Sequence, residues 1–109
     1  MMTRITTLEY YHDLYNKEVF NGKLATPKFG LTRSKATDGY YDHYPRRNKK
    51  GKIAIAERLF DDEDQLMGTM LHEMIHQYQH EILEVKTLHD ATFRSIARKL
   101  ERKYKLSIR

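Results

Sequence analysis

The second half of the chain contains the stretch LMGTMLHEMIHQYQHEI, which occupies residues 66–82. Its apolar side chains recur at intervals of three and four residues, which predicts one helix over this stretch. These side chains are Leu66, Met67, Met70, Leu71, Met74, Ile75 and Tyr78. At about 100° per residue they cover roughly half of the helix circumference, and His72 and His76 fall near the middle of the other half. Glu73 and His80 lie at the edge of that polar side, so the stretch predicts an amphipathic helix buried along one face.

The polar side of this helix carries an H-E-x-x-H pattern, His72-Glu73-Met74-Ile75-His76. Residues four apart lie one above the other on a helix, so both imidazoles can bind the same metal ion. Glu73 then lies beside the ion without being a ligand. Two ordinary surface histidines would occupy the same positions, and the pattern alone does not exclude them. A zinc ion used for hydrolysis also needs a third protein ligand.

His80 and His89 are the histidines available as a third ligand. His80 lies two turns beyond His72, about 12 Å along the axis, which is too far for three ligands on one straight helix to converge. Glu81 and Glu84 lie on or just past the same helix and meet the same objection. The segment before His89 allows the chain to turn, and a new helix that follows can pack back across the first. We therefore expect His89, ahead of any carboxylate, to be the third ligand.

The rest of the chain predicts two further helices and three strands. A first helix runs from about Thr7 to Phe20, with Thr6 or Thr7 as N-cap, and a last helix runs from about Asp90 to Lys105. The predicted strands are Lys28–Thr32, Gly39–Tyr44 and Lys52–Ala56. No internal repeat or flexible linker interrupts this order. We expect one α+β domain over residues 1–109, with an N-terminal helix, a small three-stranded antiparallel or mixed sheet, the helix with the motif, and a C-terminal helix.

The composition narrows the class of protein. The 109 residues are 32% charged and 39% hydrophobic, and no apolar run approaches the roughly 20 residues that cross a bilayer. The first residues, Met1-Met2-Thr3-Arg4-Ile5, lack the apolar stretch of a secretion signal. We expect a soluble intracellular monomer, cytoplasmic or nucleoid-associated, with no membrane partner. Because the chain has no cysteine, thiol catalysis and thiolate zinc sites are excluded, and a metal must be held by histidine and carboxylate.

Three segments carry a family resemblance. After the H-E-x-x-H motif comes His89-Asp90-Ala91-Thr92-Phe93, which resembles the equivalent segment of the SprT/Spartan metallopeptidases. The family's first helix and its F-N-x-x-L-like turn resemble residues 14–24, and the strand before its active-site helix resembles residues 52–59. The resemblance covers most of the chain, from about Leu8 to Tyr104. Two features differ: the family usually has Gly where this chain has Asp90, which we expect to N-cap the last helix, and many members carry a cysteine-bearing zinc ribbon that this sequence lacks.

This resemblance implies one Zn²⁺ ion bound by His72, His76 and His89, with Glu73 as the catalytic acid and base. It also implies a zincin-like fold in which an edge strand beside the cleft holds the substrate backbone, and we expect Lys52–Ala56 to be that strand. The implied reaction is hydrolysis of peptide bonds by a zinc-activated water molecule. The implied substrates are proteins bound or crosslinked to DNA.

The net charge of +5 comes mainly from one loop and the last helix. Residues 94–109 contain seven basic residues and one acid, Glu101. A solvated helix face, with cations favoured near a helix C-terminus, accounts for several of these charges, and a solvated turn explains the loop at residues 46–51 as well as a polyanion contact does. Contact with single- or double-stranded DNA would account for the excess. The predicted DNA contacts are Arg46, Arg47, Lys49, Lys50, Arg94, Arg98, Lys99, Arg102 and Lys103.

Two other functions fit the sequence: a non-catalytic DNA-binding protein with a structural zinc site, and a zinc hydrolase acting on small peptides or amides. Glu73 argues against the first, because a structural site does not require that carboxylate. A metzincin is excluded, since Gln79 and Ile82 stand where it needs Gly and His. Side chains of the second strand are candidates to stabilise the oxyanion, although ordinary packing explains them equally. They are Tyr40, Tyr41, His43 and Tyr44.

Overall fold

The protein is described by a computed structural model, which covers residues 2–43 and 51–108. Its elements are, in chain order, helix α1 (Arg4–Val19), strands β1 (Lys28–Thr32), β2 (Gly39–Asp42) and β3 (Lys52–Ala56), a short 3₁₀ helix (Glu57–Asp61), and helices α2 (Glu63–Glu81) and α3 (Ala91–Tyr104). This order confirms the predicted α+β class. β1 and β3 have the predicted bounds, whereas β2 ends at Asp42, and Tyr44 lies outside the described residues.

The three strands form one mixed sheet in the order β1-β3-β2. β3 pairs in parallel with β1, so that Gly30 faces Ala54, and antiparallel with β2, so that Tyr41 faces Ile53. Both edges of β3 are therefore hydrogen-bonded, and its residues 53–56 are all buried. The expectation that Lys52–Ala56 is an edge strand is wrong. A strand whose side chains are apolar on both faces is typical of a sheet interior, and β2 is an edge strand instead.

Each of the three α-helices begins at a side-chain cap. α1 starts at Arg4 because the Thr3 hydroxyl accepts a hydrogen bond from the Thr6 amide at 3.0 Å, so the predicted cap at Thr6 or Thr7 is wrong. Asp62 caps α2 in the same way. Asp90 caps α3, accepting from the Phe93 amide at 3.0 Å, which confirms the structural role expected for the residue that replaces the family's Gly.

α2 lies at the centre of the protein and is buried on nearly every side. Its apolar face joins the hydrophobic core, but its polar side is covered as well: Gln77 and Gln79 are 0% exposed. The cover comes from α1 and Ala25 over Gln77, and from the segment between α2 and α3 over Gln79. Among the described helices, none has the length and apolar character that a membrane crossing requires.

The end of the described chain packs across α2 at Gly68. A Cβ atom at this position would collide with the backbone carbonyl oxygen of Ser107, so the close approach of the two segments requires glycine. The tail is held there by Ile108, whose side chain is buried and whose amide donates to the Glu101 carboxylate at 2.8 Å. Lys105, in the left-handed conformation at φ 57°, turns the chain from α3 into this tail.

Candidate metal centre

Three imidazoles meet beside the middle of α2. His72 and His76 lie one turn apart on the helix, and His89 reaches them from the segment that leads into α3. The Nε2 atom of His89 lies 3.0 Å from Nε2 of His76 and 3.1 Å from Nε2 of His72. The structure therefore brings together the three histidines that the sequence proposed as ligands, and within the described residues no other such group of histidines and acids is found.

This donor set fits a zinc ion. In a tetrahedral site with Zn–N bonds of about 2.0–2.1 Å, neighbouring ligand nitrogens lie about 3.3 Å apart, close to the observed separations of 3.0 and 3.1 Å. Burial lowers the pKa of His76, which favours the neutral imidazole that binds a metal. With three imidazoles as ligands, a tetrahedral ion would keep one position for water or substrate.

The ring of Phe93 forms an apolar wall behind the three imidazoles. Its centroid lies 4.8 Å from that of His72, 4.8 Å from that of His76 and 4.9 Å from that of His89. Phe93 is itself buried, at 3% exposure. This contact holds the rings together and keeps water from that side of the site.

Glu73, next to the first ligand, is a buried carboxyl group at 5% exposure. Its carboxylate accepts a hydrogen bond from the backbone amide of Tyr41, which stabilises the charged form. Burial acts more strongly in the opposite direction, and with a smaller contribution from Asp38 it raises the pKa of Glu73 to about 8. A carboxyl group with a pKa near neutrality can both take up and release a proton.

A cavity of about 300 Å³ opens between these groups and the chain entering β2. Its lining residues are Ala36, Thr37, Asp38, Gly39, Thr69, His72, Glu73 and His89. At Gly39 a Cβ atom would lie 2.7 Å from the Ala54 oxygen and 3.1 Å from Cγ2 of Thr69. Glycine at this position therefore lets edge strand β2 pair closely with β3, with Thr69 of α2 lying beside it.

The side chains proposed for the oxyanion make other contacts. The Tyr41 hydroxyl lies 2.9 Å from Nδ1 of His80, and the ring of His43 stacks on the same histidine at 4.1 Å between centroids. Tyr40 points outward and is 41% exposed. Burial raises the pKa of Tyr41, so its hydroxyl stays protonated at neutral pH.

Two buried glutamines on the same helix were missed by sequence reasoning. Oε1 of Gln79 lies 2.8 Å from Nδ1 of His76, and Oε1 of Gln77 lies 2.8 Å from Nε2 of His12. Both contact a histidine, but only Gln79 contacts a member of the triad. The available signal was the position of Gln79, three residues after a predicted ligand and on the next turn of the same helix.

Basic residues that the structure describes on α3 border two different cavities. Lys99 and Lys103 border a cavity of about 320 Å³ together with Lys23, whereas Arg94 and Arg98 border a different cavity of about 320 Å³ next to His89. Arg102 is exposed elsewhere on α3. The other predicted DNA contacts lie outside the described residues. They are Arg46, Arg47, Lys49 and Lys50.

The protein has an α+β fold and a triad of histidines that could hold a metal ion. Two of the three histidines come from the H-E-x-x-H motif on α2. These features are typical of a metallopeptidase-like domain. The chain belongs to the SprT-like family, whose model matches residues 8–109. The family assignment confirms the resemblance seen in the sequence. No curated protein and no solved structure matches the chain.

Proposed function

We propose that this protein is a zinc-dependent endopeptidase with Glu73 as general base and acid. The observation that carries the proposal is the convergence of three imidazole Nε2 atoms, with that of His89 3.0 Å from His76 and 3.1 Å from His72, beside a cavity lined by His72, His89 and the buried Glu73. His72, His76 and His89 would hold the ion. When bound, zinc polarises the scissile carbonyl group and lowers the pKa of a water molecule.

Glu73 supplies the proton transfers. Its carboxylate takes a proton from the attacking water and delivers it to the nitrogen of the leaving amine. The Tyr41 amide holds one carboxylate oxygen in place, and the low exposure of Glu73 keeps bulk water from competing for the proton.

The substrate backbone would add to the sheet along β2. This strand pairs with β3 on one side, and its other side has no strand partner among the described residues. An extended peptide can form main-chain hydrogen bonds with such an edge. Because Gly39, at the start of β2, lines the cavity together with Glu73 and His89, a peptide bound along β2 would pass that cavity.

The proposed substrates are proteins bound or crosslinked to DNA, which makes the site of action intracellular and near the nucleoid. The support is the surplus of positive charge on α3 and its tail, where six basic residues stand against one acid between residues 94 and 108. Lysine and arginine side chains that contact the phosphate backbone release its counterions, so this surplus favours binding to DNA. In this function the chain acts as one domain and as a monomer.

Cleavage of casein and of a histone, with zinc and with or without single-stranded DNA, tests this function. The matched control is Glu73→Gln, which keeps the size of the side chain and all three ligands. We expect Glu73→Gln to bind zinc like the wild type and to lose at least about 100-fold in cleavage rate. Full zinc-dependent cleavage by Glu73→Gln would contradict the mechanism.

The same assay separates the alternatives. A wild type that binds zinc and DNA but cleaves neither protein would be a DNA-binding protein with a structural zinc site. Cleavage of short peptides alone would identify a small-peptide hydrolase. If single-stranded DNA stimulates cleavage, and this stimulation weakens as salt is raised, the result supports DNA-bound proteins as substrates. If DNA leaves the cleavage rate unchanged, the result contradicts the DNA-bound substrates but not the peptidase activity.

A further inference from the structure

We propose that Gln79 is a positioning residue that sets the tautomer of His76 and ties it to the segment that carries His89. The inference rests on the metal centre proposed above and assigns a role to a residue outside the ligand set. Gln79 lies on α2, is 0% exposed, and has both ends of its side-chain amide engaged.

The orientation of the Gln79 amide is fixed by its nitrogen. Nε2 donates to the carbonyl oxygen of Leu88 at 2.9 Å and lies 3.4 Å from Oδ1 of Asp90. A backbone carbonyl can only accept, so the amide nitrogen must face Leu88 and the amide oxygen must face the other way. That oxygen lies 2.8 Å from Nδ1 of His76.

The tautomer of His76 follows from this orientation. An amide oxygen only accepts, so the proton of the neutral imidazole must be on Nδ1. The lone pair is then on Nε2, the atom that faces His89 at 3.0 Å. Histidine ligands are commonly oriented by an acceptor on their second ring nitrogen, and loss of that partner typically weakens metal affinity 10- to 100-fold.

The same amide reaches the third ligand through the backbone. Leu88 and Asp90 flank His89, so the two contacts of the Gln79 nitrogen hold the segment on both sides of that histidine. Asp90 is fixed in turn because it caps α3. One buried side chain therefore connects two ligands that come from different parts of the chain.

Gln77 provides a matched control on the same helix. It is also 0% exposed and also bonds to a histidine, but its partners are His12, the Ala25 carbonyl and Glu81, none of which belongs to the triad. Leucine is close to glutamine in size, so replacing either glutamine by leucine removes a buried amide and changes the side-chain volume little. A general loss of packing would lower the zinc affinity of both variants, whereas a role in positioning the ligands would lower that of Gln79→Leu alone.

The test measures the affinity of the full chain for Zn²⁺ alone, by competition with a chelator, in the wild type, Gln79→Leu and Gln77→Leu. We expect Gln79→Leu to bind zinc 10- to 100-fold more weakly and Gln77→Leu to stay within about threefold of the wild type. Gln79→Glu, which keeps an acceptor for Nδ1 of His76, should bind zinc more tightly than Gln79→Leu. Equal affinity of wild type and a folded Gln79→Leu would overturn the inference.

A measurement on the unaltered protein removes any dependence on how the variants fold. The ¹⁵N shifts of the His76 ring report which nitrogen carries the proton before zinc is added, and we expect Nδ1. A proton on Nε2 would overturn the inference even if every variant binds zinc weakly. Failure of the wild type to bind zinc at all would instead overturn the proposed function, so the two failures are distinguishable.

Discussion

At the scale of single residues, the polar side of α2 is held by buried hydrogen bonds to neighbouring segments. His12 of α1 shows how one such bond is made. Nε2 of Gln77 donates to the Ala25 carbonyl at 2.7 Å, so its Oε1 faces His12 and accepts from Nε2 of that ring at 2.8 Å. His12 is 2% exposed. The neutral ring thus serves as a donor inside the core, where a charged ring would be costly.

His12 should make the protein less stable in acid. Burial lowers the pKa of His12 below its ordinary value of 6.5. Below that value the unfolded chain binds a proton that the folded protein resists, so the free energy of unfolding falls as pH falls toward the lower folded-state pKa. His12→Gln keeps a donor and removes the titration. Urea unfolding between pH 7 and 5 should show a shallower fall for the variant, by up to about 1.4 kcal/mol per pH unit.

The control for this measurement is a chelator in every sample, so that the triad of histidines titrates equally in wild type and variant. Identical pH slopes for the two proteins would contradict the role of His12.

Residue-scale prediction succeeded where the information is local. His72, Glu73 and His76 are recognisable because their spacing alone puts them on one side of a helix. The role of Gln79 was out of reach, because its partners Leu88 and Asp90 lie in a segment whose path no periodicity determines. In a hydrophobicity pattern a glutamine counts as a solvent-facing residue, and only the folded structure shows that Gln79 is fully buried.

At the scale of elements, the alternation of polar and apolar residues and the short apolar runs located the strands in the sequence but did not give their order in the sheet. Lys28–Thr32 and Lys52–Ala56 were predicted with the observed bounds. The order β1-β3-β2 depends on a crossover that places the third strand between the first two. The sequence did contain a hint, since residues 53–56 are apolar on both faces, as in strands of a sheet interior.

The packing of the tail on α2 predicts the effect of Gly68→Ala. Alanine would favour the helix by up to about 1 kcal/mol, but its Cβ would displace the Ser107 carbonyl and with it the buried Ile108. We expect a net loss of about 1–3 kcal/mol in the free energy of unfolding, measured with urea. In a chain that ends at Tyr104 the collision is absent, and the same substitution should be neutral or stabilising.

The decisive observation is a change of sign in the effect of Gly68→Ala on the free energy of unfolding between the full chain and the chain that ends at Tyr104. If Gly68→Ala has the same effect with and without residues 105–109, the glycine is not required by the tail.

At the scale of the whole molecule, α2 is the element to which the other parts are attached. α1 is tied to it through His12 and Gln77, and the segment before α3 is tied to it through Gln79 and the imidazole triad. The metal centre therefore joins parts of the chain that are separate in sequence. A ligand that binds only where these parts are assembled stabilises the folded state.

Zinc should therefore raise the melting temperature of the protein, and chelation should lower it. With free zinc at a thousand times its Kd, the expected stabilisation is about 4 kcal/mol, which corresponds to a rise of roughly 15 °C or more for a chain of about 100 residues. His89→Ala should lose most of this shift, because one of three ligands is removed. Glu73→Gln should keep it, because Glu73 lies beside the ion without binding it. Calorimetry of the three proteins with zinc and with chelator measures the shift. The reverse pattern, a shift kept by His89→Ala and lost by Glu73→Gln, would mean that the carboxylate is a ligand and the third histidine is not.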